Sequence, residues 1–355
     1  MKQRVTIADV AKKAGVSATT VSRILNGNYS QTSAETTARV LEAIRELDYR
    51  PNALAKGLKQ MKTQVIGVIL SNLQNPFWLR VLKGIEDTCR KAGYQLMICN
   101  SCDDPAIEAE HIKNLQTRNV DGIIVNPTPG NRDLFEQLLA TGYPCVFVNR
   151  HLPNLAMPGV VMNNIRGASL AVEHLLEGGR QRIAIIAYQG EITTWTERVE
   201  GYKTTLLAHG KREQDLLIEL VPNRPGAARS AAIRLLKRNP RPDALLSTTN
   251  LMTLEILDAI QSLGLRIPED VALVGYDETM WCKYLNPPLT TVRQPAYEMG
   301  EIAAKRIIQL CKGTRRTKLD VTVLEPELVV RESSRPASAT PDVGATIAAG
   351  TGTSG

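Results

Sequence analysis

The sequence predicts a small all-α helix-turn-helix domain followed by an α/β core of two doubly wound parallel-sheet lobes, and three observations carry that expectation. Thr6 to Asn26 reads as two short capped helices joined at a glycine. From Thr63 onward apolar, β-rich runs alternate with helical ones. The unit beginning at Val65 is laid out like the unit beginning at Ile183, each with a strand, a short loop carrying an aromatic, a helix bearing Gly84 or Gly201, a terminal glycine and a second strand.

The first helix follows Thr6, whose hydroxyl can cap it, and Asp9 three residues on completes a capping box at the positive end of the helix dipole. Gly15 makes the turn, and Ser17 repeats the capping device for the second helix. Val10, Ala11, Ala14, Val16, Val21 and Ile24 fall at helical spacing and form a shared core, which leaves Ala18, Thr19, Ser22 and Arg23 facing outward. An α-helix fits the major groove of DNA, where Thr and Ala meet a thymine methyl and Arg pairs with guanine or holds a phosphate. Any capped amphipathic pair shares part of this pattern, so the spacing alone leaves a purely structural pair open. A third helix, opened by Ser33, carries Val40, Leu41, Ile44 and Leu47 on one face to close the small core.

Val65 to Ser71, Gln95 to Asn100, Gly122 to Asn126 and Cys145 to Asn149 read as buried parallel strands separated by helices, and Arg182 to Ala187, Ala244 to Thr248 and Val271 to Tyr276 repeat the rhythm. Doubly wound sheets bind ligands at the carboxyl ends of their strands, so two facing lobes make a cleft. From Arg335 to Gly355 the Ser, Ala, Thr, Gly and Pro composition has almost no apolar periodicity and predicts a disordered tail.

A chain of 355 residues with 43% apolar residues holds two or three domains and is no disordered class. The net charge of +7 fits a polyanionic partner, and Arg4, Lys12, Lys13, Arg23, Arg50, Lys56, Lys59 and Lys62 crowd the amino end. The start lacks a signal-peptide apolar stretch and no apolar run approaches about 18 residues, so a cytoplasmic protein with no membrane partner is expected. Of six scattered Cys, only Cys99 and Cys102 stand in a C-x-x-C spacing, and buried thiols are expected rather than zinc or redox chemistry. G-x-S-x-G, H-E-x-x-H and the Walker phosphate loop are missing, and His111, His151, His174 and His209 show no paired metal spacing, so neither an enzyme nor a cofactor is expected.

The stretch from Thr6 to Asn26, together with Tyr49-Arg50-Pro51-Asn52-Ala53-Leu54-Ala55-Lys56-Gly57-Leu58, resembles the lactose-repressor (LacI) family of bacterial transcription regulators, and the likeness runs to about Ser333. That resemblance implies a periplasmic-binding-protein-like core and DNA contacts from Thr6, Ser17, Ala18, Thr19, Thr20, Ser22, Arg23 and Asn26. It also implies a hinge helix in which Asn52, Ala55, Lys56, Leu58 and Lys59 meet DNA, Leu58 serving as a minor-groove wedge beside phosphate-binding Lys56 and Lys59. Gly57, a poor helix former, keeps so short a helix marginal without DNA. The implied boundaries are 1–49 for the helix-turn-helix and 50–62 for hinge and linker. They continue as 63–162 plus 293–321 for the amino-side lobe, 163–292 plus 322–333 for the carboxyl-side lobe, and 334–355 for the tail.

Phe77 and Trp78 match the family segment that lines the ligand site, with flat apolar faces for the C–H side of a sugar, and core packing is the alternative reading of both. Asn126, Asn149 and Arg150 end strands of the amino-side lobe. On the other lobe Trp195, Thr196 and Arg198 open a helix, while Asn250 and Asp277 match family ligand contacts at strand ends. Arg150 and Arg198 can both pair with a carboxylate, which points to a sugar acid of the keto-gluconate kind; a structural acid beside Arg150 is the alternative. The sequence departs from a frequent family pattern at Leu251, where an acidic residue often follows the Asn. The expectation is a ligand-responsive regulator of carbohydrate or sugar-acid genes, most simply a repressor, which binds a palindromic DNA operator as a homodimer because one module reads too few base pairs. A solute-binding protein for transport is the rival from another class.

Overall fold

The computed structural model describes residues 5–30, 32–49, 62–313 and 320–336. It divides between Gln64 and Val65 into two compact units.

The first unit holds α1 (Ile7–Ala14), α2 (Ala18–Leu25) and α3 (Ala34–Glu46). Thr6 Oγ1 accepts from the Asp9 N–H at 3.4 Å, and the Asp9 carboxylate accepts from the Thr6 N–H at 2.8 Å, which completes the capping box. Gly15 ends α1 at φ 65°, a left-handed conformation that costs about 1–2 kcal/mol with a Cβ. Val10, Ala11, Ala14, Val21, Ile24, Val40 and Ala43 form the core, with Val16, Ile44 and Leu47 packed on it. Leu41, expected inside, is 41% exposed. It lies one residue, a rotation of about 100°, past Val40, and the smaller Ala43 takes the inward position.

In the second unit, one sheet contains β1 (Val65–Leu70), β2 (Gln95–Asn100), β3 (Gly122–Val125), β4 (Cys145–Asn149), β5 (Gly159–Met162) and β11 (Val321–Leu324), all parallel in the order β11-β5-β4-β3-β1-β2. The other contains β6 (Ile183–Tyr188), β7 (Leu217–Val221), β8 (Ala244–Ser247), β9 (Ala272–Tyr276), β10 (Thr290–Arg293) and β12 (Glu327–Val329) in the order β12-β10-β9-β8-β6-β7. The two orders correspond strand for strand. The second sheet departs from an all-parallel arrangement only at its edge, where β12 runs antiparallel to β10. Its short entry from Pro326 leaves no room for the crossover a parallel strand would need.

Helices α4 (Pro76–Lys91), α5 (Pro105–Thr117), α6 (Arg132–Ala140) and α11 (Ala296–Cys311) belong with the first sheet. Helices α7 (Asn164–Glu177), α8 (Thr193–Ala208), α9 (Ala227–Leu236) and α10 (Asn250–Ser262) belong with the second. Gly84 of α4 and Gly300 of α11 let these helices touch backbone to backbone, since a Cβ at Gly84 would fall on the Tyr297 carbonyl and one at Gly300 on the Val81 carbonyl. Gly201 does the same for α8 against the Ile165 carbonyl of α7, so Gly84 and Gly201 are equivalent devices in the two lobes.

The chain passes between lobes after Met162, after Arg293 and after Leu324. The third passage, placed near Thr322 from the sequence, comes later because Val321–Leu324 pair with Gly159–Met162 of the first sheet. Ser334, assigned to the tail, is also part of the fold. It is fully buried, and its hydroxyl meets Thr290 Oγ1 at 2.6 Å and His174 Nε2 at 2.7 Å. The remaining tail, 337–355, lies outside the described residues. The cysteines divide: Cys89, Cys145 and Cys282 are buried, whereas Cys102 is exposed and Cys99 half-buried, the latter pair sitting on the edge strand β2 and its loop.

Candidate functional site

The carboxyl ends of both sheets meet at a cavity of about 60 Å³. Phe77, Trp78, Asn149, Arg150, Trp195, Arg198 and Asp277 all line it. Phe77 and Trp78 also belong to the buried core: α4 begins shortly after β1 ends, and its first turn is core on one side and cleft lining on the other.

Three expected residues are not in the lining. Thr196 is exposed and its hydroxyl donates back to the Thr193 carbonyl at 3.2 Å, because the face of α8 turned to the cleft is set by Trp195 and Arg198, three residues apart. Asn126 is fully buried and its amide ties β3 to β4 through the Val148 carbonyl at 2.9 Å. Asn250 does not end a strand, since β8 stops at Ser247 and Asn250 is the first residue of α10. Its amide donates across the cleft to Asn75 Oδ1 at 2.7 Å.

Sequence reasoning missed Asp103, Tyr188, Thr194, Asn223 and Gln294, all of which line the cavity. Gln294 directly follows β10 as Asp277 follows β9, and Asp103 lies three residues beyond β2. Asn223 lies two residues beyond β7, an edge strand that was not read as one although Leu216 to Val221 is apolar but for Glu219.

Three lining residues hold left-handed backbone without being glycine, Asp103 at φ 59°, Asn149 at φ 67° and Asp277 at φ 69°. Such residues cost of order 1 kcal/mol each, and their gathering at one cleft marks strain kept for side-chain placement.

The polar groups of the cleft are largely engaged with one another. Arg150 Nη1 donates to Asp103 Oδ1 at 2.6 Å, so the structural acid considered for Arg150 is present. The guanidinium also stands 5.8 Å from the Trp195 ring centroid. Asp103 Oδ2 accepts from the Asn223 amide of the other lobe at 3.2 Å. Gln294 joins Asn149 at 3.4 Å to Asp277 at 2.5 Å. Arg198, 4% exposed, donates from Nε to Asn164 Oδ1 at 3.0 Å and from Nη1 to the Thr248 carbonyl at 2.5 Å, and lies 4.0 Å over the Tyr276 ring. None of its recorded partners is a carboxylate. Arg150 Nε and the Oδ1 atoms of Asn126 and Asn250 are buried without a hydrogen-bond partner among the described residues. Behind the cleft, burial raises the Glu108 carboxyl to about 7, against the opposing pull of hydrogen bonds from Asn131 and Thr128 and of the Arg150 charge. The described residues contain no group of three or more His, Cys, Asp or Glu that could hold a metal.

In the first unit, Ser17 caps α2 by accepting from the Thr20 N–H at 3.1 Å and meets the Thr20 hydroxyl at 2.9 Å. Asn26 turns its amide back to the Ser22 carbonyl at 2.8 Å, and Thr6 is held by its capping box. Ala18, Thr19 and Arg23 stay exposed and Ser22 half-exposed, so one face of α2 carries a small apolar group, hydroxyls and a guanidinium. Asn52, Ala55, Lys56, Leu58 and Lys59 lie outside the described residues.

Comparison with known proteins accounts for both units. The model for bacterial regulatory proteins of the lacI family matches residues 6–52, and a periplasmic binding protein-like domain matches 172–334. The chain is 35% identical over 312 residues to the probable HTH-type transcriptional regulator EndR of Paenibacillus polymyxa, covering 86% of this chain and 90% of that one. The chain belongs to the LacI family. A second member, the HTH-type transcriptional regulator KdgR of Bacillus subtilis (strain 168), is 31% identical over 330 residues, covering 92% of this chain and 97% of that one. Among solved structures, the lac repressor dimer bound to operator and the anti-inducer ONPF matches with a TM-score of 0.83 at 27% identity, over 94% of this chain and 100% of that one. LacI-family membership makes the first unit a DNA-binding helix-turn-helix and the second the periplasmic-binding-protein-like domain of a transcription regulator. No helix among the described residues is long and apolar enough to cross a membrane.

Proposed function

We propose that this chain is a cytoplasmic, non-catalytic homodimeric repressor whose affinity for a palindromic operator is set by a sugar acid held in the cleft. The observation that carries the ligand class is Arg198: a buried guanidinium on the cavity wall whose recorded partners are an amide and a carbonyl. A carboxylate supplies the charge that those neutral groups do not. Asn149 and Asp277 then meet hydroxyls, and Phe77 and Trp78 cover the C–H surface. The likeness to KdgR supports the sugar-acid branch.

Ligand control follows if the guest binds one lobe arrangement better than another, since a ligand shifts an equilibrium only through such a difference. The contacts from Asn250 to Asn75 and from Asn223 to Asp103 join the two lobes, so a guest that favours them favours the closed arrangement. The DNA-binding set is Thr6, Ser17, Ala18, Thr19, Thr20, Ser22, Arg23 and Asn26 with the hinge residues, Leu58 acting as the wedge. The effector set keeps Phe77, Trp78, Asn149, Arg150, Trp195, Arg198 and Asp277.

The test is a thermal-shift panel of aldonic and keto-aldonic acids beside their neutral sugars. Binding to the folded state raises the melting temperature, so an acid is expected to raise it more than its neutral counterpart at equal concentration. A neutral sugar that stabilises more than every acid overturns the reading.

A further inference from the structure

We propose that Asp103 sets the charge selectivity of the cleft, limiting it to guests with a single anionic group. The proposal rests on the sugar-acid reading above and goes beyond it, because it concerns how many anionic groups the guest carries rather than whether it carries one.

The lining holds two cations, Arg150 and Arg198, and two anions, Asp103 and Asp277. They are not placed symmetrically. Arg150 and Asp103 form a direct pair at 2.6 Å with side chains only 6% and 14% exposed, so each cancels the other where water screens little. Arg198 has no carboxylate partner among the described residues, and Asp277 is met by the neutral Gln294 amide. One cation is therefore open to a guest and the other is closed by Asp103.

The backbone shows that this closure is built in. Cys102 and Asp103 are successive residues at φ 55° and 59°, a left-handed pair without glycine. The turn brings the Asp103 carboxylate back over the end of β4 to reach Arg150, and its second oxygen receives the Asn223 amide from the other lobe. A guest with a second anionic group near Arg150 meets Asp103 first: like charges repel, and the Arg150 charge is already balanced by the carboxylate at its Nη1.

The variant Asp103→Asn removes the charge while keeping the shape, and Asn tolerates left-handed backbone at least as well as Asp. Calorimetric titration of the full chain uses matched aldonate and aldarate pairs, gluconate with glucarate and galactonate with galactarate, with glucose and galactose as neutral controls. The wild type is expected to prefer the monoanion of a pair by tenfold or more, and Asp103→Asn to cut that preference at least fivefold. Asp103→Asn/Arg150→Gln is expected to lose the gained dianion affinity. A purely structural role would weaken both members of a pair alike and leave their ratio unchanged; that unchanged ratio overturns the proposal. A wild type that prefers the dianion overturns it as well. Binding of the neutral sugars above every acid overturns the sugar-acid reading itself, and is distinguishable from a failure at Asp103 alone.

Discussion

Asn75 and Asn250 hold the two lobes together through one amide hydrogen bond of 2.7 Å, and the same Asn75 oxygen caps α4 by accepting the Phe77 N–H at 2.8 Å. The atom that starts a helix of the amino-side lobe is thus the atom the other lobe grips. Moving Asn250 away takes a partner from the group that orients Phe77 and Trp78.

Replacing Asn250 with Ala is therefore expected to weaken ligand affinity by about fivefold, since such a hydrogen bond contributes about 1 kcal/mol and its loss leaves the lobes without this tie. Ligand-free affinity for the operator stays within about twofold. Titration calorimetry and gel-shift assays measure the two quantities, and a change confined to DNA binding would remove Asn250 from the cleft mechanism.

Gly84→Ala places a methyl group against the Tyr297 carbonyl. The helices α4 and α11 must part, at a cost of about 1–3 kcal/mol. A fall of roughly 2–4 °C in melting temperature per kcal/mol is expected by calorimetry. An unchanged melting temperature would show that the close approach is not needed.

The two-lobed fold was legible because the buried strands are continuous apolar runs, such as Val65–Leu70, and because the lobes repeat one plan. The cleft was legible at the ends of recognised strands, at Asn149, the last residue of β4, and Asp277, directly after β9, whereas Gln294 was missed because β10 was not read as a strand. Thr196 and Asn250 were misplaced because membership of a segment does not give rotation about a helix or the residue at which a strand stops. Asp103 escaped notice because it lies three residues beyond the end of β2, a strand that was recognised but is an edge strand with half-exposed residues rather than the buried one expected, and Asn223 because β7 was not read as a strand. The third crossing was misplaced because a four-residue edge strand carries too little periodicity to say which sheet it joins.

Glu108 predicts a pH dependence of stability. Its folded pKa is raised to about 7 from an ordinary 4.5, chiefly by burial, so the folded state holds a proton that the unfolded chain releases. The resulting stabilisation is complete below about pH 4.5 and is lost as pH rises through about 7. Denaturant unfolding is expected to show wild-type stability dropping by about 1–3 kcal/mol between pH 5 and 8, with a shallower slope in Glu108→Gln. Equal slopes in the two proteins would place the titration elsewhere.

Arg23 is exposed on α2. Arg23→Ala is expected to cost about 1–3 kcal/mol in operator binding, with ligand affinity unchanged. If Arg23 reads a base, the loss is confined to the cognate sequence; if it holds a phosphate, random duplex loses equally and the salt slope falls by about one. No loss on either duplex would take Arg23 out of the interface.

The central claim is that a guest bound at Arg198 governs the grip of the amino-terminal unit on DNA. The direct measurement is operator affinity of the full chain with and without the stabilising sugar acid, in the wild type, Arg198→Ala and Arg198→Lys, each first shown to be folded by its melting transition. The account predicts an acid-dependent change of about fivefold or more in the wild type. That change is expected to vanish in Arg198→Ala and to be blunted in Arg198→Lys, which keeps the charge but not the planar fork, while both variants hold the operator without ligand. An undiminished response in Arg198→Ala would contradict it.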